Sequence, residues 1–180
     1  MATTDRPAAP TDGTDSPAPD GVDRILEQWA RERPDLDTEA MGIFGRIFRL
    51  ARAGGEATAA AYARSHLTRG DFDVLATLRR AGNGGDLSPS ALSATLMLTT
   101  GGMTQRLDRL ERAGLVRRSP DPADRRGLRI SLTDRGADVV DQAVADGLAA
   151  EQRLLAGIPA QRRREIDAML RELLAAVEPS

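Results

Sequence analysis

The chain of 180 residues contains no cysteine and no lysine, and it has one histidine, His66. Without cysteine it forms neither disulfides nor thiolate metal sites. No nucleophile–base pair and no cluster of metal ligands can be assembled around His66, which lies at a predicted helix end. The sequence therefore predicts neither an enzyme nor a protein with a bound cofactor or metal, and His66 is best interpreted as a capping or surface residue.

Long apolar runs and aromatic side chains are also scarce. No stretch of 18 apolar residues occurs, and the start of the chain lacks the charged-then-apolar pattern of a signal peptide. We therefore expect a cytoplasmic protein. Because aromatic residues make up only 3% of the sequence, its helices must pack through leucine, isoleucine, valine and alanine.

Residues 87–133 have the pattern of a helix, a turn, a second helix and two short strands. Ser88 and Pro89 form a helix start, a capping hydroxyl followed by proline at the first helical position. The segment 99–102 is predicted to interrupt the helical pattern. Gly114 is expected to end the second helix as a left-handed cap. Two alternating strands should follow, around residues 115–116 and 128–132, with 120–127 as the hairpin tip.

The second helix of this stretch has two different sides. Met103, Leu107 and Leu110 are spaced i, i+4 and i+7, so they share one side and are predicted to be buried. Polar and arginine side chains fall on the other side. Between residues 100 and 130 there are eight arginines and four acidic residues, although the whole chain carries a formal net charge of −2.

This arrangement suits insertion of the second helix into the major groove of DNA, with the hairpin on phosphates or in the minor groove. The alternative is a solvated helix in an ordinary α+β domain. The side chains predicted to contact DNA are Thr100, Thr104, Gln105, Arg109 and Arg112 on the helix and Arg125 and Arg126 in the hairpin.

The motifs LSPSALSATLML, TGGMTQRLDRLERAGLV, DPADRR and ISLTDRG resemble the winged helix-turn-helix of the MarR family of bacterial transcription regulators. The resemblance covers about residues 20–177. It implies a mostly α fold, with a winged helix-turn-helix and a long helical dimerisation region from both termini. The wing of this family often reads D-x-R-D-x-R, and here Ala123 replaces the first arginine. Which of Arg125 and Arg126 enters the minor groove is therefore open.

Four segments follow from the helical patterns. Residues 1–19 are expected to be a disordered tail, because they contain four prolines and no aromatic residue. Residues 20–66 hold an extra leading helix and a long dimerisation helix, in which Gly54 and Gly55 predict a kink or a close helix contact. Residues 67–133 form the DNA-binding lobe and 134–178 two more dimerisation helices. The apolar side of the last helix, from Ile166 to Val177, is predicted to be buried.

The chain is also similar to the urate-responsive, PecS- and TamR-like subgroup of this family. In that subgroup a tryptophan, an aspartate and two arginines hold an anionic purine, and the matching residues here are Trp29, Asp73, Arg106 and Arg118. Each also has a simpler interpretation. Trp29 could staple the first helix to the core, Asp73 and Arg106 could form an ion pair, and Arg118 could contact a phosphate.

The resemblance implies a homodimeric repressor that binds a pseudopalindromic operator in double-stranded DNA. A small anionic effector, such as urate or a related purine or organic acid, would release it. One alternative is a regulator of the same family that responds to phenolic or other aromatic compounds. Another is a helix-turn-helix module that binds proteins and not DNA.

Overall fold

The computed structural model describes residues 18–82, 86–122, 124 and 127–178, and they form two compact units, residues 1–50 and 51–180. The division falls inside the second helix. The predicted tail, apart from its last two residues, and the hairpin residues Arg125 and Arg126 lie outside the described residues. The described elements are α1 (Gly21–Glu32), α2 (Glu39–Ala63), α3 (Arg69–Arg80), α4 (Pro89–Thr95), α5 (Thr100–Arg112), β1 (Val116–Pro120), β2 (Leu128–Leu132), α6 (Asp134–Leu154) and α7 (Ala160–Val177).

The first unit contains α1 and the beginning of α2. Asp20 caps α1, because its side chain accepts hydrogen bonds from the backbone N–H groups of Val22 and Asp23. The two helices approach closely where α2 has glycine, since a β-carbon on Gly45 would lie 3.2 Å from a methyl group of Val22. Only Val22 is buried in α1. Trp29, predicted to share its apolar side, is 40% exposed.

The core of the second unit lies between α3, α5, α6 and the sheet. The predicted apolar side of α5 is confirmed, because Met103, Leu107 and Leu110 are almost completely buried. Other fully buried side chains of this core include Val74, Leu75, Leu78, Leu92, Ile130 and Val140. Burial of one such side chain contributes about 1.5–3 kcal/mol, so this cluster accounts for much of the stability of the unit. The prediction of a mostly α, winged helix-turn-helix fold is confirmed.

The turn between α4 and α5, residues 96–99, lies three residues earlier than predicted. The helix α5 begins at Thr100, and the side-chain oxygen of Thr99 accepts a hydrogen bond from Gly102 N at 3.2 Å. Gly101 and Gly102 therefore lie inside the helix, and the predicted interruption over residues 99–102 is wrong. A threonine cap fixes this start because it supplies the acceptor that the first backbone N–H groups lack.

The two strands form an antiparallel hairpin whose register runs from Val116 opposite Leu132 to Pro120 opposite Leu128. Pro120 therefore belongs to β1, and the predicted tip begins one residue too early. Proline is tolerated at this end of an outer strand, where no partner needs its missing N–H. Leu87 adds a bridge to Ile130 on the other side of β2, which joins the segment before α4 to the hairpin.

The junction between the hairpin and α6 depends on Gly136. Thr133 caps α6 through a 2.9 Å hydrogen bond from Gly136 N, and Thr133 N donates to Leu115 O at 3.1 Å. A β-carbon on Gly136 would overlap the Leu115 carbonyl oxygen and lie 2.8 Å from its carbonyl carbon. The first turn of α6 therefore packs directly on backbone, and a rigid backbone cannot move aside as a flexible side chain can.

The last helix differs most from its prediction. No residue of α7 is buried in the chain, although its apolar side was predicted to be covered. The large side chains that remain exposed are Ile166, Met169, Leu170, Leu174 and Val177. Apart from the backbone of its own helix, a β-carbon built on Gly54 or Gly55 of α2 would meet nothing within 4 Å among the described residues. The close helix contact, one of the two possibilities predicted there, is not formed among these residues. None of the described helices is long and apolar enough to cross a membrane.

We expect Gly136→Ala to destabilise the protein by about 3 kcal/mol, because the new methyl group has only backbone to displace. Denaturant unfolding followed by circular dichroism measures this loss. Gly157→Ala is the matched control, since a β-carbon at Gly157 meets open space among the described residues. An equal effect of the two substitutions would contradict the close packing at Leu115.

Candidate nucleic-acid interface

The side of α5 that faces away from the core is exposed and polar. Because Met103, Leu107 and Leu110 are buried, the helical repeat turns the predicted DNA-contact residues outward. The five on α5 are all exposed, and they are Thr100, Thr104, Gln105, Arg109 and Arg112. This surface carries two arginines near the end of the helix and hydroxyl and amide groups near its start, a set that suits both phosphates and base edges.

Arg109 forms an ion pair with Asp71 in the first turn of α3. Arg109 Nη2 lies 2.5 Å and Nε 3.2 Å from Asp71 Oδ1. The Arg109 side chain is 47% exposed, whereas that of Asp71 is 5% exposed. Burial raises the pKa of Asp71, but the hydrogen bonds from Arg109 and Thr68 outweigh burial and hold the pKa below its usual range. Asp71 is therefore a buried anion at neutral pH.

Asp71 also completes the cap of α3. Asp71 N donates to the Thr68 hydroxyl at 3.2 Å, and Thr68 N donates back to Asp71 Oδ2 at 3.2 Å. The Thr68 hydroxyl donates to the same oxygen at 2.6 Å. This reciprocal capping box ties the carboxylate to the start of α3.

Arg106, predicted to bind an effector, lies half-buried on the same turn of α3. Its Nη1 donates to Gly70 O at 3.1 Å. A β-carbon on Gly70 would overlap the Arg106 guanidinium, so glycine at this position is what admits the arginine. Arg106 follows the buried Met103 by three residues, which places it about 60° from the buried side of α5, and this contact agrees with that placement.

The other predicted effector residues have partners of their own. Arg118, 25% exposed, donates to Glu111 Oε2 at 2.8 Å and to Asp108 Oδ1 at 2.5 Å. Asp73 pairs with Arg69 at 3.1 Å, and the ion pair with Arg106 considered from the sequence is therefore not formed. Trp29 belongs to the first unit and the other three residues to the second.

The sequence did not reveal two contacts of the predicted site residues. One joins Arg106 to the carbonyl of Gly70, and the other is the ion pair between Arg109 and Asp71. The capping pattern identified Asp71 as a helix start, but nothing local indicates that Arg109, 38 residues later, reaches the same carboxylate. No group of three or more histidine, cysteine, aspartate or glutamate side chains that could hold a metal ion occurs within the part of the chain that the structure describes.

Comparisons with known proteins agree with this geometry. A model of the MarR family matches residues 66–127. The HTH-type transcriptional regulator PecS of Dickeya dadantii is 37% identical over 149 residues, which cover 83% of this chain and 90% of that protein. The multiple antibiotic resistance protein MarR of Escherichia coli is 31% identical over 109 residues, covering 60% of this chain and 74% of the relative.

Solved structures show the same fold. A mutant of MarR from E. coli complexed with operator DNA superposes with a TM-score of 0.64 at 26% identity, over 76% of this chain and 96% of that one. A two-sided helix, a capped turn before it and a hairpin after it define a winged helix-turn-helix transcription regulator. The chain belongs to the MarR family, whose members are regulators of transcription and not enzymes.

Proposed function

We propose that this chain is a homodimeric repressor that binds a pseudopalindromic operator and leaves it when a small anionic effector binds. Urate, a related purine or an organic acid is the proposed effector. The observation that carries the DNA-binding part is the exposed side of α5, where Gln105, Arg109 and Arg112 lie opposite a fully buried apolar side.

We infer DNA binding from the exposed polar side of α5 and from the similarity to E. coli MarR, which has been solved with operator DNA. One α5 per subunit would enter a major groove, and the two half-sites would lie about one helical turn, or roughly 10 bp, apart. The hairpin follows α5 directly, so its arginines Arg125 and Arg126 would contact the neighbouring backbone or minor groove. The complex of E. coli MarR with operator DNA supports this mode for a similar fold.

Dimerisation is proposed from the apolar surface of α7. Ile166, Met169, Leu170, Leu174 and Val177 are all exposed in the single chain, and water contact with such a stripe is unfavourable. A second copy of the chain would cover it. In this proposal residues 20–66 and 134–178 form the dimerisation region around the DNA-binding residues 67–133.

The effector proposal depends on the two arginines of the second unit. Arg106 donates to the backbone carbonyl of Gly70, and a planar anion would offer it a stronger, charge-assisted partner. Arg118 already neutralises Asp108 and Glu111, and an effector would have to compete with them. Trp29 offers a flat apolar surface for a ring. The negative charge of the effector would repel the carboxylate of Asp73. Similarity to PecS supports this subgroup.

Two other functions predict different results. A regulator of the same family that responds to phenolic or aromatic compounds would bind DNA but ignore urate. A protein-interaction module would show no salt-dependent affinity for DNA. A gel-shift assay at two salt concentrations, with DNA from upstream of the coding sequence, separates the last case from the other two.

We expect Arg126→Ala to weaken operator binding and to reduce the slope of log affinity against log salt by about 0.9, since one phosphate contact fewer releases fewer counterions. Fluorescence anisotropy over a salt series measures the slope. Arg171→Ala is the control, because Arg171 lies on α7 and pairs with Asp167 on the surface. A slope equal to wild type in the Arg126 variant would contradict its contact with phosphate.

We expect the double variant Leu170→Glu, Leu174→Glu to be a folded monomer, because two charges in the proposed interface would lack partners. Light scattering should give twice the 19.3 kDa chain mass for the wild type and once that mass for the variant. Arg164→Glu, on the side of α7 opposite the apolar residues, should remain dimeric. A monomeric wild type at micromolar concentration would refute the dimer.

We expect Arg106→Ala to keep the dimer but to lose release by urate, because the effector loses a cationic partner. Binding is read from the fluorescence of Trp29, the only tryptophan, and release from gel shifts. Arg79→Ala is the control, since Arg79 pairs with Asp141 at the surface. If urate, other purines and organic acids neither change the fluorescence nor release DNA, the effector proposal fails.

A further inference from the structure

The two members of the Asp71–Arg109 ion pair differ sharply in exposure. The Asp71 side chain is almost fully buried, whereas the Arg109 side chain is about half exposed. The pair therefore has an inner, fixed side and an outer, accessible side. A DNA phosphate could reach the guanidinium without approaching the carboxylate that holds it.

Asp71 is fixed more firmly than a surface carboxylate would be. Its Oδ2 accepts hydrogen bonds from the backbone and hydroxyl of Thr68, and its Oδ1 accepts those of Arg109. One oxygen thus caps α3, and the other holds the arginine. Leu67, immediately before the cap, is buried in the core of the unit, so this turn cannot shift easily.

Arg109 keeps part of its hydrogen-bonding capacity free. Its Nε and Nη2 donate to Asp71, and among the described residues no hydrogen bond uses Nη1. Free arginine side chains carry about 2 kcal/mol of rotamer entropy. A carboxylate that orders the guanidinium before binding removes part of that entropic cost from the DNA-binding step.

We propose that Asp71 is a positioning residue for DNA binding, which holds Arg109 from its buried side so that the outer edge of the guanidinium meets a DNA phosphate. This rests on the proposed DNA-binding function. The reverse arrangement, in which Asp71 competes with DNA for Arg109, would require the arginine to leave its partner. The burial of Asp71 opposes that, because an unpaired buried carboxylate is costly.

The neighbouring contact supports a positioning role. Arg106, one turn before Arg109 on α5, donates to Gly70 O in the same turn of α3. Two arginines spaced i, i+3 therefore fasten α5 to one turn of α3. Contacts at two points fix both the rotation and the height of α5, which a single contact does not.

A double-mutant cycle tests the proposal. Operator affinity is measured by fluorescence anisotropy for the wild type, Asp71→Asn, Arg109→Ala and the double variant. We expect Asp71→Asn to weaken binding by about five- to tenfold, since ordering Arg109 again costs part of its rotamer entropy. In the Arg109→Ala background the same change should have no further effect, because Asp71 acts only through Arg109.

Asp20→Ala is the matched structural control. It removes the side-chain cap of α1 in the first unit and lowers folding stability by about 1 kcal/mol, and among the described residues Asp20 forms no hydrogen bond with Asp71 or Arg109. Operator affinity should stay near wild type. An equal loss of affinity from Asp71→Asn with and without Arg109 would overturn the proposal, and so would tighter binding by Asp71→Asn.

A second measurement separates this inference from the DNA-binding proposal. If the wild type shows no salt-dependent DNA binding, the proposed function fails. The pair is then tested by NMR of the Arg109 Nε–H, identified by its absence in Arg109→Ala. We expect slow hydrogen exchange and restricted motion in the wild type and the loss of both in Asp71→Asn. An unchanged signal in Asp71→Asn would overturn the inference whether or not the protein binds DNA.

Discussion

Burial of one side of α5 is the constraint on which the DNA-facing surface depends. Met103, Leu107 and Leu110 are almost completely removed from water. Turning the helix by one residue, about 100°, would expose all three and would cost several kcal/mol. The hydrophobic core therefore determines which polar side chains point outward. Because Met103, Leu107 and Leu110 must stay buried, Gln105 and Arg109 face solvent.

A second constraint joins this helix to the rest of the unit through backbone contacts. Leu115 follows α5, and its carbonyl accepts a hydrogen bond from Thr133 N while Gly136 packs against it. The end of α5, the root of the hairpin and the start of α6 thus meet at one peptide group. The helix α6 also belongs to the proposed dimerisation region. The Leu115 peptide group therefore links that region to α5 through a short and rigid backbone connection.

Local patterns in the sequence were sufficient for most of the second unit. Ser88 caps α4 where its sequence context predicts, and the spacing of Met103, Leu107 and Leu110 identifies the buried side of α5. Local patterns fail where the decisive partner is distant or absent. The contact of Arg109 with Asp71 spans 38 residues of sequence. The apolar side of α7 predicts that this helix is buried, but it does not identify the surface against which it packs.

The first turn of α3 combines several requirements in four residues. Thr68 and Asp71 cap the helix, Gly70 leaves room for Arg106, and Asp71 binds Arg109. Random substitution in this turn would therefore alter folding, effector response and operator affinity together. Natural variants that tune one property alone should be rare here and should accumulate at positions with a single role, such as the polar side of α7. The turn would evolve slowly, as a unit.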